Sequence, residues 1–543
     1  MINRRKFFQF SSVAVLAGAG GATWMYFGRY HSNVAGTAPI GPYPFDPIRA
    51  ENFQQKLFIP GSSGPFGILD VGGPLQIRAT AASFPILKGQ ESPFLLYQTE
   101  HAGKAYQNPI LRMESGTRLQ ATLHNELQEP TIIHWHGLHT PAAMDGHPGS
   151  TIGPNSRFEY DFIVRNRGGT YWYHTHAHNL TAKQAYNGLA SFFLVEDEDQ
   201  RSLAKALDLR LGETDVPLVI QDKQFDDAGK LRYNPNMQES MMGWLGDVIL
   251  ANLTPNAFLT VTPRLYRFRL LNGSNSRIYR LAFVNGQARL NFAVIGTDGG
   301  LLEQPQTVTE SYLAPGERLD VLIDVGQAQP GEDIFLKSLA FDSMENEGSG
   351  GMGGMMGGMM GGMATSRLPL GAEFNILKLS VTQGERLTAP LPATLSSIRK
   401  ISIEGITERK IELSMGQMRF LINGRTFRMD EILFDVKRGA VEVWSISNPA
   451  HGMPHPMHIH GFSFQIVERL NSPQQVTASA KFGRGRVASD LGWKDTVLVW
   501  PGETVKIAIN FAHEFPGDQT YIFHCHNLEH EDAGMMINFR VKE

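Results

Sequence analysis

GTRLQATLHN at residues 116–125, PRLYRFRLLN at 263–272 and GAVEVWSISN at 439–448 are one pattern written three times. Each runs from a turn-forming Gly or Pro to an Asn nine positions later. Side chains that alternate between apolar and polar, bounded by turn residues, predict a strand with one face buried. A second half echoes as well: PNSRFEYDFIV from 154, PGERLDVLIDV from 315 and PGETVKIAINF from 501. After each comes a Gly-led turn and a further strand, GTYWYHTH, GEDIFLKS and GDQTYIFHCH. Three copies of one strand plan predict an all-β chain of three β-sandwich domains, at 50–199, 212–385 and 398–543. The charged stretch EDEDQRSLAKAL at 196–207 reads as a linker with helical character.

Length agrees, since 543 residues at about 150 per domain suffice for three or four separate cores. With 49 basic against 53 acidic residues, and no basic block, the chain is not expected to bind nucleic acid. The N-terminus, NRRKFFQF followed by SSVAVLAGAGGATWMYFG, has twin arginines leading into an apolar run. That predicts a twin-arginine export signal over residues 1–38 and a periplasmic or other extracytoplasmic location. Kept uncleaved, the run Phe8 to Phe27 has the length of a membrane anchor.

Ten of the 18 histidines fall in four clusters at equivalent places of the first and third copies: HWH at 134, HTH at 174, HPMHIH at 455 and HCH at 524 with His530. The second copy has IFLKS at that strand, so it is expected to carry no metal. On a strand, residues i and i+2 share a face. His134 with His136, His174 with His176, His458 with His460, and His524 with His526 thus supply eight imidazoles, too many for one ion and suited to three coppers with positions open to O2. The same parity sends Cys525, the only cysteine, to the opposite face, and places His455 with it. With His530 and Met535 these make a His2Cys set with a weak axial thioether, the ligand set of a blue electron-transfer copper. One HxH pair is common by chance and a lone buried cysteine is usually packing; four pairs at repeat-equivalent slots are neither. Structural zinc favours four closed ligands, not histidines in pairs.

HWHG, HTHAH, HPMHIHG and HCHNLEHEDAGM resemble the four signatures of the multicopper oxidases, over essentially everything after residue 50. The resemblance implies three cupredoxin-like Greek-key domains and four copper ions. Type 1 copper would take His455, Cys525, His530 and Met535. Type 2 would take His134 and His458, and the type 3 pair His136, His174, His176, His460, His524 and His526. It also implies four one-electron oxidations of a substrate, electron passage through Cys525, and reduction of O2 to two waters. Asp145 and Glu531 match acids that relay protons in bacterial relatives, against the plainer readings of a turn Asp before Gly146 and an exposed Glu.

For the reductant, the chain most resembles cuprous oxidases of copper tolerance. Supporting stretches are MMGWLGDVI at 241, LSMGQM at 413, HEDAGMM at 530, and the Gly/Met-rich loop at 348–363 with Met355, Met356, Met359 and Met360. Thioethers prefer Cu(I). Met453 and Met415 match substrate-copper methionines, whereas His451 and Phe420 stand where the family has aspartates, and the Met-rich loop lies near the end of the second domain rather than before the type 1 histidine. A Cu(I) site of Met453, Met415 and His451 is the first reading. A laccase-like oxidase of phenols or aromatic amines is the second, and a non-enzymatic copper-storage protein the third, disfavoured because storage needs no thiolate beside an oxygen site.

Overall fold

The two halves of each repeat copy are hydrogen-bonded neighbours. Arg118–Asn125 pairs antiparallel with Arg157–Ile163, Leu265–Asn272 with Arg318–Asp324, and Val441–Ser447 with Thr504–Asn510. On the other side of the first strand lies a parallel one: Leu75–Leu87, Asp215–Phe225 and Glu408–Gly416 respectively. Parallel neighbours need long crossovers, so each copy closes as a Greek key and not as a simple meander. The strands after the Gly-led turns, Gly169–Thr175, Asp333–Ser338 and Gln519–Cys525, lie in the second sheet of each pair. The computed structural model describes residues 53–543 except 88–89, 346–365, 388 and 417–418. The twin-arginine segment and Met355, Met356, Met359 and Met360 therefore lie outside the described residues.

Among the described residues, six sheets form three sandwiches of similar plan, each around its own core. The first packs Trp135, Tyr173 and Phe193, the second Phe268, Phe283 and Val321, and the third Trp444, Phe523 and Phe539. The repeated Asn has one job throughout. Buried at or just past the end of its strand, it donates from Nδ2 to carbonyls of nearby loops and strand ends: Asn125 to Glu129 and Ile152, Asn272 to Arg277 and Leu313, Asn448 to Met453 and Val499. A buried carbonyl outside a ladder needs such a donor.

Alternation is clean in Arg118–Asn125, but Leu265–Asn272 is buried on both faces. Its polar positions hold Arg267 and Arg269, which pair inside with Asp215 and Asp320. The stretch 196–207 is helical over Glu198–Ala206, capped by the Asp197 side chain on Gln200 N at 2.9 Å. One segment departs from the sequence reading: Gln55–Lys56, assigned to the first domain, pairs with Ala257 and Phe258 of the middle sandwich. Too short to show a period, that strand gave no signal of its partner.

Candidate metal centre

Strand register brings the HxH pairs together. Within the first sandwich His174 pairs with His134, and within the third His524 pairs with His458 and Cys525 with Met457. Gly146 lets the following loop lie against the first pair: its φ is +86°, and a Cβ there would sit 2.0 Å from Ile133 O. The loop carbonyl of Asp145 thereby accepts from His134 Nδ1 at 2.7 Å.

Five overlapping buried groups of ligand atoms result among the described residues, one of them His134, Asp145 and His460. His134 and His458 face each other Nε2 to Nε2 at 3.4 Å. His136 turns Nδ1 to His174 Nε2 at 3.4 Å, with His526 completing that group. His524 Nε2 lies 3.0 Å from His460 Nε2 and 3.5 Å from His176 Nε2. On the other face of the same strand, Cys525 Sγ lies 3.5 Å from His455 Nδ1 and 3.6 Å from His530 Nδ1. Two nitrogens held about 2.0–2.1 Å from one ion in a tetrahedral arrangement stand about 3.3–3.4 Å apart. The spacings of 3.4 and 3.5 Å match that requirement, and the 3.0 Å between His460 and His524 is shorter.

The chemistry of the donors also fits a cation. Burial, reinforced by neighbouring imidazoles, holds His134, His174, His460 and His526 well below the ordinary histidine range, so they are neutral with lone pairs to give. His526 has no hydrogen-bond partner for either ring nitrogen, and a buried polar group left so is costly unless an ion satisfies it. Burial pushes the Cys525 thiol up; a bound metal ionises such a thiol. The outward nitrogens are anchored: His174 Nδ1 donates to Thr175 O at 2.8 Å, His458 Nδ1 to Asp495 O at 2.9 Å, and His524 Nδ1 to Cys525 O at 3.1 Å. Each anchor fixes a tautomer whose free lone pair faces inward.

Both acids singled out from sequence are 1% exposed. Asp145 Oδ2 accepts from His460 Nδ1 at 2.7 Å, and burial raises its carboxyl well above the usual range. Glu531 lies 3.5 Å from His176 Nε2 and 3.3 Å from His524 Nδ1. Met535 is buried in the third core; its carbonyl accepts from Cys525 N at 3.0 Å and its N–H donates to His530 O at 2.9 Å. Met415 is 57% exposed, His451 is exposed and Met453 is half-buried. Phe420, across the hairpin from Met415, stacks on His530 with centroids 3.9 Å apart.

Several contacts gave no sequence signal, although Met241 and Glu529 stand in the stretches MMGWLGDVI and HCHNLEHEDAGM. His530 Nε2 donates to Met241 O at 3.1 Å, from the short helix Met237–Met242. Glu529 is gripped by Tyr233 Oη, Trp244 N and Asn275 Nδ2 at 3.0, 3.0 and 2.7 Å. Asp495 accepts from His136 Nε2 at 3.0 Å. All are single residues outside any repeated motif, visible only once distant segments meet.

Family models described as multicopper oxidase match residues 98–200 and 400–543. The chain is 32% identical to the multicopper oxidase mco of Staphylococcus epidermidis, over 84% of this chain and 88% of the relative. It is 32% identical to a laccase of Bacillus subtilis, over 76% of this chain and 80% of the relative. The crystal structure of McoA multicopper oxidase from the hyperthermophile Aquifex aeolicus superposes with a TM-score of 0.79 at 38% identity, covering 90% of this chain and 99% of that one. The chain belongs to the multicopper oxidases. It is an oxidase that uses copper ions, O2 and a reducing substrate.

Proposed function

We propose that this enzyme oxidises Cu(I) outside the cytoplasm, following twin-arginine export, with four copper ions. Type 1 copper is held by His455, Cys525, His530 and Met535, type 2 by His134 and His458. One type 3 copper is held by His136, His174 and His526, the other by His176, His460 and His524. The observation that carries the assignment is the strand Gln519–Cys525 and the residue after it: Cys525 Sγ faces His455 and His530, while His524 and His526 reach two different groups on the opposite face. Bound there, copper supplies single-electron oxidation of the substrate and four-electron reduction of O2 to water. Cys525 joins the two faces through its own backbone, and its carbonyl holds His524 by the Nδ1 bond. Asp145, its carboxyl raised by burial, holds a proton beside His460; at Glu531 burial is outweighed by His176 and His524, which keep the carboxyl below its ordinary range and ready to accept a proton there, where reduction of O2 consumes protons.

Cu(I) is favoured by thioethers on the two short elements that touch His530. Met237, 71% exposed, and Met241 lie on the helix whose carbonyl binds His530, and Met415 on the hairpin whose Phe420 stacks on it. Soft ligands at that rim suit a soft ion. A laccase-like oxidase of small phenols is the second reading, favoured by the similarity to the Bacillus subtilis laccase. Oxygen uptake by copper-loaded protein, with Cu(I), Fe(II), Mn(II) and a phenol supplied in turn, separates them. Cu(I) should give the highest kcat/KM; a phenol in first place overturns the substrate assignment.

A further inference from the structure

The middle sandwich supplies none of the clustered histidines, yet one of its side chains reaches them. Arg318 opens the strand Arg318–Asp324 and is fully buried where all three sandwiches meet. Its five N–H groups are all used. Nε donates to Thr170 O of the first sandwich at 3.0 Å. Nη1 donates to Gly316 O at 2.9 Å and Nη2 to Asp298 O at 3.0 Å within the middle one. Nη1 also donates to Asp495 Oδ1 of the third at 2.8 Å, and Nη2 to Asp495 Oδ2. This is the two-pronged guanidinium–carboxylate geometry that fixes orientation as well as charge.

Asp495 passes that orientation on. Its Oδ1 accepts from His136 Nε2 at 3.0 Å and from Thr496 Oγ1 at 2.9 Å, and its carbonyl accepts from His458 Nδ1 at 2.9 Å. His136 is thereby held as the Nε2–H tautomer, which leaves its Nδ1 lone pair aimed towards His174 Nε2. Space is kept for the pair by Gly137 of HWHG, where φ is +83° and a Cβ would stand 2.4 Å from Asp495 Oδ2 and 2.8 Å from Arg318 Nη2.

We propose that Arg318 and Asp495 are positioning residues for the histidine groups: the middle domain's guanidinium fixes the Asp495 carboxylate, and Asp495 fixes the tautomer and ring plane of His136 and the Nδ1 anchor of His458. The inference rests on the copper assignment above. It makes the middle sandwich part of the metal site, although it donates no ligand.

The test compares wild type, Arg318→Gln, Arg318→Lys and Asp495→Asn after loading with copper alone. Copper release to a graded chelator and the hyperfine splitting of the type 2 copper are the readouts, alongside the blue absorption of the Cys525 group. Loss of an outer partner lowers metal affinity about 10–100-fold. Arg318→Gln and Asp495→Asn should release the histidine-bound copper at correspondingly lower chelator, with shifted hyperfine splitting and the blue absorption retained. Arg318→Lys, a point charge without the fork, should fall between, and carries the comparison should Arg318→Gln not fold. Lys494→Met is the control for loosening of the same boundary: Lys494 binds Asp298 and Glu317 at 3.0 and 3.1 Å. Its hyperfine splitting should be that of wild type. Wild-type affinity and splitting in the Arg318 and Asp495 variants, or an equal shift in Lys494→Met, overturns the proposal. Wild-type protein that takes up no copper overturns the copper assignment itself.

Discussion

Asp145→Asn separates the two halves of the proposed reaction. The backbone bond from His134 Nδ1 to residue 145, at 2.7 Å, survives the substitution. The amide also keeps an oxygen for His460 Nδ1, so the 2.7 Å bond there survives. Burial already favours the uncharged Asp145 carboxyl, so the exchange costs no more than about 1 kcal/mol. Copper bound through His460 should therefore be retained when copper is in excess. Proton transfer changes far more, because an amide cannot take up and return a proton. General acid–base contributions are typically about 10²–10⁴-fold. Since Glu531 lies beside His176 and His524, which share a ligand group with His460, and shares the task, about 10²-fold is expected. Stopped-flow measurement resolves the halves: anaerobic bleaching of the blue band by reductant, then its return on mixing with O2. Bleaching should stay within about twofold of wild type, while the return slows about 10²-fold. Equal slowing of both phases, at full copper content, would mean that Asp145 only holds the structure.

Cys525→Ser should abolish the blue absorption and all oxidase activity while copper stays bound at the histidine groups, because the hydroxyl is a hard donor on a face separate from them; a protein that stays blue refutes the ligand assignment. Removing residues 349–363 should weaken apparent Cu(I) affinity, leave the catalytic coppers in place, and spare or raise phenol oxidation; unchanged kinetics at low Cu(I) would favour the laccase-like reading. Asp215→Asn should cost about 3–5 kcal/mol at pH 7, seen as a lower thermal midpoint, because it strands Arg269 in the core and leaves Arg267 with Asp320 and Gln200 alone. Burial alone would raise the Asp215 carboxyl, but Arg269 and Arg267 outweigh it and hold it below its ordinary value. Its stabilisation is therefore present above the unfolded value near 4 and lost as pH falls through the lower folded one. The gap between wild type and variant should accordingly close below about pH 4; a gap that persists there would show that packing, not charge, is at work.

Residues 116–125, 263–272 and 439–448 carried the architecture in their spacing. Strand formation and facing depend on a period of two within a few residues, and the turn Gly, Pro and Asn are local too. That locality is why the HxH pairs, the opposite facing of Cys525 and the histidine-free middle copy were legible. Leu265–Asn272 shows the limit: its arginines sit at polar positions that face inward, because the linker helix with Gln200 and the first sandwich with Thr170 lie against that face. Tertiary structure alone decided which nitrogen each imidazole turns inward, since that depends on the partner of the other nitrogen. For His136 the partner is Asp495, 359 residues away, and for Asp495 it is Arg318, 177 residues back in the chain. No periodicity links such residues; only packing of the three sandwiches brings the guanidinium, carboxylate and imidazole into contact.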